Sequence, residues 1–247
     1  MAAASSVPFK LILGSSSIAR KKILAEMGYE FTILTADIDE KSIRREKPEE
    51  LVMAIAEAKA DAILSKLTIS EAERGDEPTI LIVADTADAI LQRLNTCDSV
   101  KEAEPTLLIT GDQVVVYEGE IREKPSTVEE ARKFIQGYSE GYAATMSSVL
   151  VTNLQTGFRK GDWDKVEIHF HKIPDEIIEK LINEGKVLYV AGGLIIEHPL
   201  VLPYVKEVVG TTDSVMGLPK ALTENSSRSM LCVPKMDHSM YAPPELE

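Results

Sequence analysis

Residues 9–22, FKLILGSSSIARKK, form the stretch that decides the fold. The apolar run at residues 9–13 predicts a buried strand, Gly14 and three serines interrupt it, and apolar residues return at helical spacing from Ile18. The turn between such a strand and such a helix presents free backbone N–H groups and the positive end of the helix dipole. The stretch therefore predicts a strand, a turn that suits a phosphate group, and a helix.

The polar residues of this turn allow two interpretations. In the first, Arg20, Lys21 and Lys22 place positive charge beside a bound phosphate. In the second, Ser17 is only the N-cap of the helix and the three cations form a solvated face. The turn alone does not decide between them.

Length and composition predict one α/β domain. A chain of 247 residues with 44% hydrophobic content can bury one good core, and it contains no apolar run of 18 residues. We expect residues 1–8 to be a flexible N-terminus, since they have the pattern of neither a secretory nor a transit peptide. Cys97 and Cys232 match no metal spacing and suit a reducing compartment, the cytoplasm. The net charge of −13 argues against nucleic acid or an anionic membrane as partner.

Two segments after the first helix carry further candidate residues. Residues 31–41, FTILTADIDEK, predict a strand and then an acidic cluster that includes Glu40. Carboxylate oxygens are ligands for Mg²⁺, so this cluster beside a cationic turn suits a metal-bound phosphate, although taken alone it also fits a solvated loop. Pro48 then opens an amphipathic segment, PEELVMAIAEAKADAIL, which predicts a long helix with Lys59 near its middle.

A tandem repeat follows. Residues 60–86 and 87–113 align without a gap and are identical at 12 of 27 positions, so one helix-plus-strand unit is present twice within one domain. Each copy ends in an apolar strand and an aspartate, Asp85 or Asp112, and only one copy can fill a given position in a sheet. After the second copy the chain continues as a strand and reaches Lys124 in a turn.

The sequence of the C-terminal part predicts loops and strands followed by a tail. Residues 190–219 are rich in glycine and apolar residues, which predicts buried loops and strands packed under a site. Hydrophobic periodicity ends beyond Glu224, and we expect residues 223–247 to be a mostly disordered tail.

Five segments of residues 9–222, in order, resemble the motifs of the Maf family of nucleoside triphosphate pyrophosphatases: LILGSSSIARKK, DIDEK, AIAEAKADAI, TGDQVVVYEGEIREKP and SVMGLPK. The resemblance implies a single α/β domain of Maf/inosine triphosphatase-like fold, a mixed twisted sheet flanked by helices with a nucleotide cleft, and it allows a homodimer. Asp112-Gln113-Val114 together with Glu197 resembles the branch that acts on 7-methyl-GTP. The dTTP/UTP branch typically has Asp-Thr and a glutamine at those places.

The resemblance also implies an activity with its site. The activity is hydrolysis of a non-standard nucleoside triphosphate, 7-methyl-GTP first or else UTP, CTP or dTTP, to monophosphate and pyrophosphate with Mg²⁺ or Mn²⁺. A first set of residues, in the turn and directly after Asp112, would contact the substrate. A second, catalytic set would neutralise charge, position water or read the base, and two of its members, Glu40 and Asp112, would bind the metal. The first set is Ser15, Ser17, Arg20, Lys21 and Gln113; the second is Glu40, Lys59, Asp112, Lys124 and Glu197.

Departures from the family pattern keep alternatives open. The Pro-Arg-Arg of the family is Ile18-Ala19-Arg20 here, followed by Lys21, so one arginine is missing unless Lys21 replaces it. Either Asp85 or Asp112 could occupy the site; we favour Asp112 because the segment after it brings Lys124 along. On that choice a segment of 27 residues between Lys66 and Pro105 is an insertion. The alternative function is a catalytically impaired nucleotide-binding or regulatory protein linked to cell-division control.

Overall fold

A mixed sheet of eight strands organises residues 9–74 and 105–231, which the computed structural model describes, with side chains for residues 9–67 and 105–230. The strands are β1 (Lys10–Leu13), β2 (Thr32–Ile33), β3 (Thr106–Thr110), β4 (Gln113–Tyr117), β5 (Glu120–Arg122), β6 (Tyr142–Asn153), β7 (Arg159–Phe170) and β8 (Val205–Val209). The helices are α1 (Ile18–Glu26), α2 (Pro48–Arg74), α3 (Val128–Tyr138), α4 (Asp175–Glu184), α5 (Thr212–Val215) and α6 (Lys220–Leu231). The predicted α/β class with a mixed sheet between helices is confirmed. No helix in these ranges is both long and apolar enough to cross a bilayer.

The strand order places the ends of β1 and β3 side by side. β1 pairs in parallel with β2 and with β3, and β3 pairs antiparallel with β6. β4 pairs with the other half of the same edge of β6, while β7 runs along its opposite edge. β3 and β4 are therefore one path along β6 that is interrupted only at Gly111 and Asp112. This interruption puts Asp112 beside the turn that follows β1.

The two faces of the sheet are covered by different helices, and the alternation of side chains along β1 shows how. Leu11 and Leu13 pack in a cluster with residues of α1 and α6, whereas Ile12 packs on the other face with residues of α2. The helix predicted from Pro48 is confirmed, and it continues to Arg74, beyond the predicted segment. Its buried stripe carries Lys59 to the carboxyl ends of β1 and β3.

A third hydrophobic cluster lies at the end of the sheet where β6 begins and β7 ends. Tyr138 of α3 is buried there, and burial raises the pKa of its hydroxyl to about 12. That hydroxyl donates a hydrogen bond of 2.8 Å to the carbonyl of Gly192. The guanidinium of Arg122 lies 4.0 Å from the ring centroid of Tyr117 and 5.1 Å from that of Tyr138, a cation–π arrangement. These contacts fix the chain just before Lys124.

The expectation of a disordered tail from residue 223 is wrong for residues 223–231, which belong to α6. The apolar spacing is weak, but small polar residues face the protein here: Thr223, Ser226 and Ser227 are buried. The Thr223 hydroxyl donates a hydrogen bond to the carbonyl of Pro219, the residue just before α6, so it needs no partner from the sheet. Residues 1–8 and 232–247 lie outside the described residues, so the other predictions for the two ends are not tested.

The structure describes the helical part of the first repeat copy, residues 60–74 of α2, and the strand of the second copy. Residues 106–110, from the second copy, form β3 between β1 and β6, so this copy fills the central position of the sheet. The strand of the first copy, with Asp85, lies outside the described residues, as does most of the proposed insertion. The insertion therefore stays a prediction.

Gly111 makes the interruption between β3 and β4 possible, and we predict that Gly111→Ala destabilises the protein by about 2–3 kcal/mol, as overpacking does. A Cβ at Gly111 would meet the backbone carbonyl oxygen of Ser148, and a backbone atom in a central strand cannot move aside cheaply. Gly141→Ala is the matched control, because its Cβ would have only ordinary contacts, the nearest at 3.6 Å. Urea denaturation measures both; equal stabilities of the two variants would contradict the prediction.

Candidate active site

The turn after β1 is built by its own serines. Ser17 is the N-cap of α1, since its hydroxyl accepts the backbone N–H of Arg20 at 3.4 Å. Ser15 is buried, and its hydroxyl accepts the N–H of Ser17 at 3.2 Å. The N-cap role of Ser17 is thus confirmed, but a solvated face of three cations is wrong for Arg20, which is buried. The N-cap role is compatible with a phosphate site, because the turn still presents the N-terminal end of α1.

Arg20 is buried and bonded to backbone carbonyls on two distant segments. Its Nε donates to the carbonyl of Gly217 at 2.8 Å, and one Nη donates to that of Gly111 at 2.9 Å. The same Nη lies 3.4 Å from the Ser15 hydroxyl. Burial lowers the pKa of the guanidinium, and the charges of Asp112 and Glu40 act in the opposite direction. Arg20 therefore connects the turn, the end of β3 and the loop before α6.

Lys59 bridges the two acidic candidates. Its Nζ lies 2.8 Å from Oδ1 of Asp112 and 2.9 Å from Oε1 of Glu40. The side chains of Lys59 and Asp112 are only 11% and 12% exposed, whereas that of Glu40 is 40% exposed, so the cluster opens to solvent on the Glu40 side. The structure thus brings together three residues that lie far apart in the sequence.

Glu40 is held at the start of a short 3₁₀ turn, Glu40–Ser42, whose N-cap is Asp39. Partial burial acts to raise the pKa of its carboxyl, but the charges of Lys59 and, more weakly, of Lys124 and Arg20 outweigh that effect, and the pKa lies below its ordinary value. Glu40 is therefore an anion at neutral pH, facing three cations.

Asp112 is fixed by β6. Its backbone N–H donates to the Ser148 hydroxyl at 3.0 Å, and its carbonyl accepts the Ser148 N–H at 2.9 Å. The Ser148 hydroxyl in turn donates to the carbonyl of Val52 in α2 at 2.8 Å. One serine thereby sets the distance between Asp112 and the helix that carries Lys59. Sequence reasoning missed this serine, and its signal is a pair of adjacent serines inside a long, mostly apolar strand.

The amide of Gln113 contacts the short helix α5. Its Nε2 lies 2.6 Å from the carbonyl of Val215, 3.3 Å from that of Ser214 and 3.0 Å from the Ser147 hydroxyl. This donor group is therefore used by the protein itself. Substrate contact by Gln113 stays a prediction.

The remaining candidates are less closely tied to the cluster. Lys124 is exposed, but its charge contributes to lowering the pKa of Glu40, so it lies on the open side. Lys21 is half-buried, and its side chain makes no hydrogen bond or ion pair within the described ranges. Glu197 is exposed in a turn and, among the residues described, makes no such contact with the cluster. The structure brings Glu40, Lys59, Asp112 and Arg20 together and does not bring Glu197 into contact with them.

The turn that carries Glu197 is nevertheless anchored by its neighbour. The Nε2 of His198 lies 2.9 Å from a carboxylate oxygen of Glu184 at the end of α4, and its Nδ1 accepts the N–H of Leu200 at 3.3 Å. Sequence reasoning missed His198. These contacts of His198 anchor the turn to α4, while the neighbouring Glu197 side chain is exposed to solvent.

The donor set limits how a metal could bind. Among the described residues no three His, Cys, Asp or Glu side chains are grouped as a metal site. Glu40 and Asp112 provide two carboxylates within reach of one ammonium group. Such a set fits Mg²⁺ or Mn²⁺, which proteins often hold by one or two carboxylates together with substrate phosphates.

The fold and the site define the class: an α/β protein with a cluster of oppositely charged side chains at the carboxyl ends of two parallel strands. The chain belongs to the family described as Maf-like protein, whose sequence model matches residues 10–230. It is 38% identical over 215 residues to a 7-methyl-GTP pyrophosphatase of Dictyostelium discoideum, with 87% of this chain and 94% of that protein covered. It is 25% identical over 215 residues to a dTTP/UTP pyrophosphatase of Agathobacter rectalis, covering 86% and 93%. It is also 25% identical over 213 residues to a nucleoside triphosphate pyrophosphatase of Salinispora tropica, covering 86% and 80%.

Proposed function

We propose that this protein is a hydrolase that cleaves a nucleoside triphosphate, 7-methyl-GTP before others, to a monophosphate and pyrophosphate. The observation that carries the proposal is the bridge from Lys59 to Glu40 and Asp112 beside the phosphate-suited turn. A non-catalytic nucleotide-binding protein has no need for two carboxylates there. The relative named a 7-methyl-GTP pyrophosphatase is 38% identical, against 25% for the dTTP/UTP relative cited above, which supports the choice of substrate.

The divalent metal, Mg²⁺ or Mn²⁺, would be held by Glu40 and Asp112. When bound, it would screen the charge of the phosphates and polarise the scissile anhydride. In this proposal the oxygen of Asp112 that Lys59 does not contact accepts a proton from the attacking water. Lys59 and Lys124 supply positive charge where the leaving pyrophosphate develops negative charge.

The turn after β1 would bind the triphosphate through its backbone N–H groups and the N-terminal end of α1. Ser15 and Ser17 shape this turn through the hydrogen bonds that their hydroxyls accept. Lys21, which is half-buried, is the cation of α1 that remains for direct phosphate contact. Gln113 and Glu197 are proposed to contact the base.

The direct test is pyrophosphate release from 7-methyl-GTP, GTP, UTP, CTP and dTTP with Mg²⁺ or Mn²⁺. We expect turnover to require the metal and kcat/KM to be highest for 7-methyl-GTP. Higher kcat/KM for UTP or dTTP would contradict the substrate choice but not the enzyme class. Absence of turnover by a folded protein whose melting temperature rises with nucleotide would instead support the alternative, a nucleotide-binding regulatory protein.

Composition supports proposals for the partners and the compartment. The net charge of −13 supports a small anionic substrate at a local cationic site rather than nucleic acid or an anionic membrane surface. The two cysteines support a reducing compartment such as the cytoplasm. A homodimer is expected from the family resemblance alone, and sedimentation of the full chain would test it.

A further inference from the structure

The ammonium group of Lys59 lies between the two carboxylates that are the best metal ligands of the site. It is within 3 Å of one oxygen of each, at 2.8 Å from Asp112 and 2.9 Å from Glu40, and its third neighbour is the carbonyl of Gly111 at 3.4 Å. The Lys59 side chain is 11% exposed, so its charge is screened little by water. A cation is therefore already paired with both carboxylates.

A divalent metal that enters the free protein must therefore compete with this cation. The described residues offer no third acidic, histidine or cysteine ligand in a group with the pair. Mg²⁺ and Mn²⁺ prefer six oxygen ligands, and two shared carboxylates are a weak site for either. A bound nucleotide would change both the competition with Lys59 and the shortage of metal ligands. Its phosphates add oxygen ligands for the metal and give the ammonium group another anionic partner.

We propose that Lys59 is the resident cation of the nucleotide-free site. It holds Glu40 and Asp112 together and keeps divalent metal out until the nucleotide arrives, so that metal and nucleotide bind together. This inference rests on the proposed function, because it takes the two carboxylates as the metal ligands. Its test does not depend on turnover.

The test measures Mn²⁺ binding to the full chain without nucleotide, by the electron paramagnetic resonance signal of free Mn²⁺. We expect Lys59→Met to bind Mn²⁺ at least about tenfold more tightly than wild type, because a unit charge beside the metal position is removed. Lys66→Met is the matched control on the same helix: Lys66 is exposed and contacts the carbonyl of Thr35, and this variant should bind like wild type. Equal Mn²⁺ affinities of Lys59→Met and Lys66→Met would overturn the inference.

Two further measurements make the result specific. The double variant Lys59→Met, Asp112→Asn should lose the gained affinity; if it keeps it, the gain arises elsewhere and the inference fails. In wild type, a GTP analogue with a methylene bridge between the α and β phosphates should raise the affinity of the protein for Mn²⁺ at least about tenfold. The same analogue should raise the Mn²⁺ affinity of Lys59→Met by a smaller factor. Equally tight Mn²⁺ binding by wild type with and without the analogue would also overturn it, even if Lys59→Met does not fold. If no nucleotide is hydrolysed, the proposed function fails while the nucleotide-free comparison still decides the inference.

Discussion

Asp112→Asn is expected to lower kcat for pyrophosphate release by about 10³-fold, within the range for loss of a group that moves a proton or stabilises charge in the transition state. The substitution keeps the size of the side chain but removes its charge, so the amide can neither accept a proton from water nor neutralise Lys59. The backbone of Asp112, bonded to Ser148, is not altered, and we expect the variant to fold. Steady-state kinetics with 7-methyl-GTP measures the effect.

Asp85→Asn is the matched control for this result, because Asp85 is the equivalent aspartate of the first repeat copy. The second copy occupies β3, so we expect Asp85→Asn to retain near wild-type kcat. Activity that survives loss of Asp112 but not of Asp85 would show that the first copy forms the catalytic site. Circular dichroism of both variants confirms that a loss of activity is not a loss of folding.

Local structure could be predicted from the sequence where turn or capping residues lie within a few residues of a regular hydrophobic pattern. The strand, small-residue turn and N-cap at residues 9–17 are local features, and all are present. The helix that carries Lys59 follows from its apolar spacing. The helical structure of residues 223–231 could not be predicted in this way. Serines and a threonine pack there in place of larger apolar groups, so the segment shows no clear hydrophobic periodicity.

The partners within the site could not be predicted, because they are separated along the chain. Lys59 was predicted to neutralise phosphate charge, yet in the free protein it pairs with Asp112, 53 residues away. Gln113 was predicted to contact the substrate, and its donor group reaches a carbonyl 102 residues away. Only the sheet order, which places the end of β3 beside the turn after β1, brings such groups together.

Arg20 shows the same limit most strongly and leads to the second large expected effect. It was predicted to hold the triphosphate, but its guanidinium bonds the carbonyls of Gly111 and Gly217, 91 and 197 residues away. We expect Arg20→Met to lower the free energy of unfolding by about 3–5 kcal/mol, because two buried carbonyls lose their donors at about 1–3 kcal/mol each and the packed fork is lost. Urea denaturation of the nucleotide-free protein measures it.

A lysine should not restore this stability. Lysine keeps the charge of Arg20 but offers a compact ammonium group in place of a planar fork, so Arg20→Lys is expected to recover less than half of the loss. Lys22→Met is the control, because Lys22 lies on the same helix and only faces Glu26 at 4.0 Å on the surface. If Arg20 only held phosphate, its replacement would raise KM and leave the nucleotide-free protein as stable as wild type. A loss of stability without nucleotide instead identifies Arg20 as the residue that holds the turn, β3 and the loop before α6 in place for the substrate.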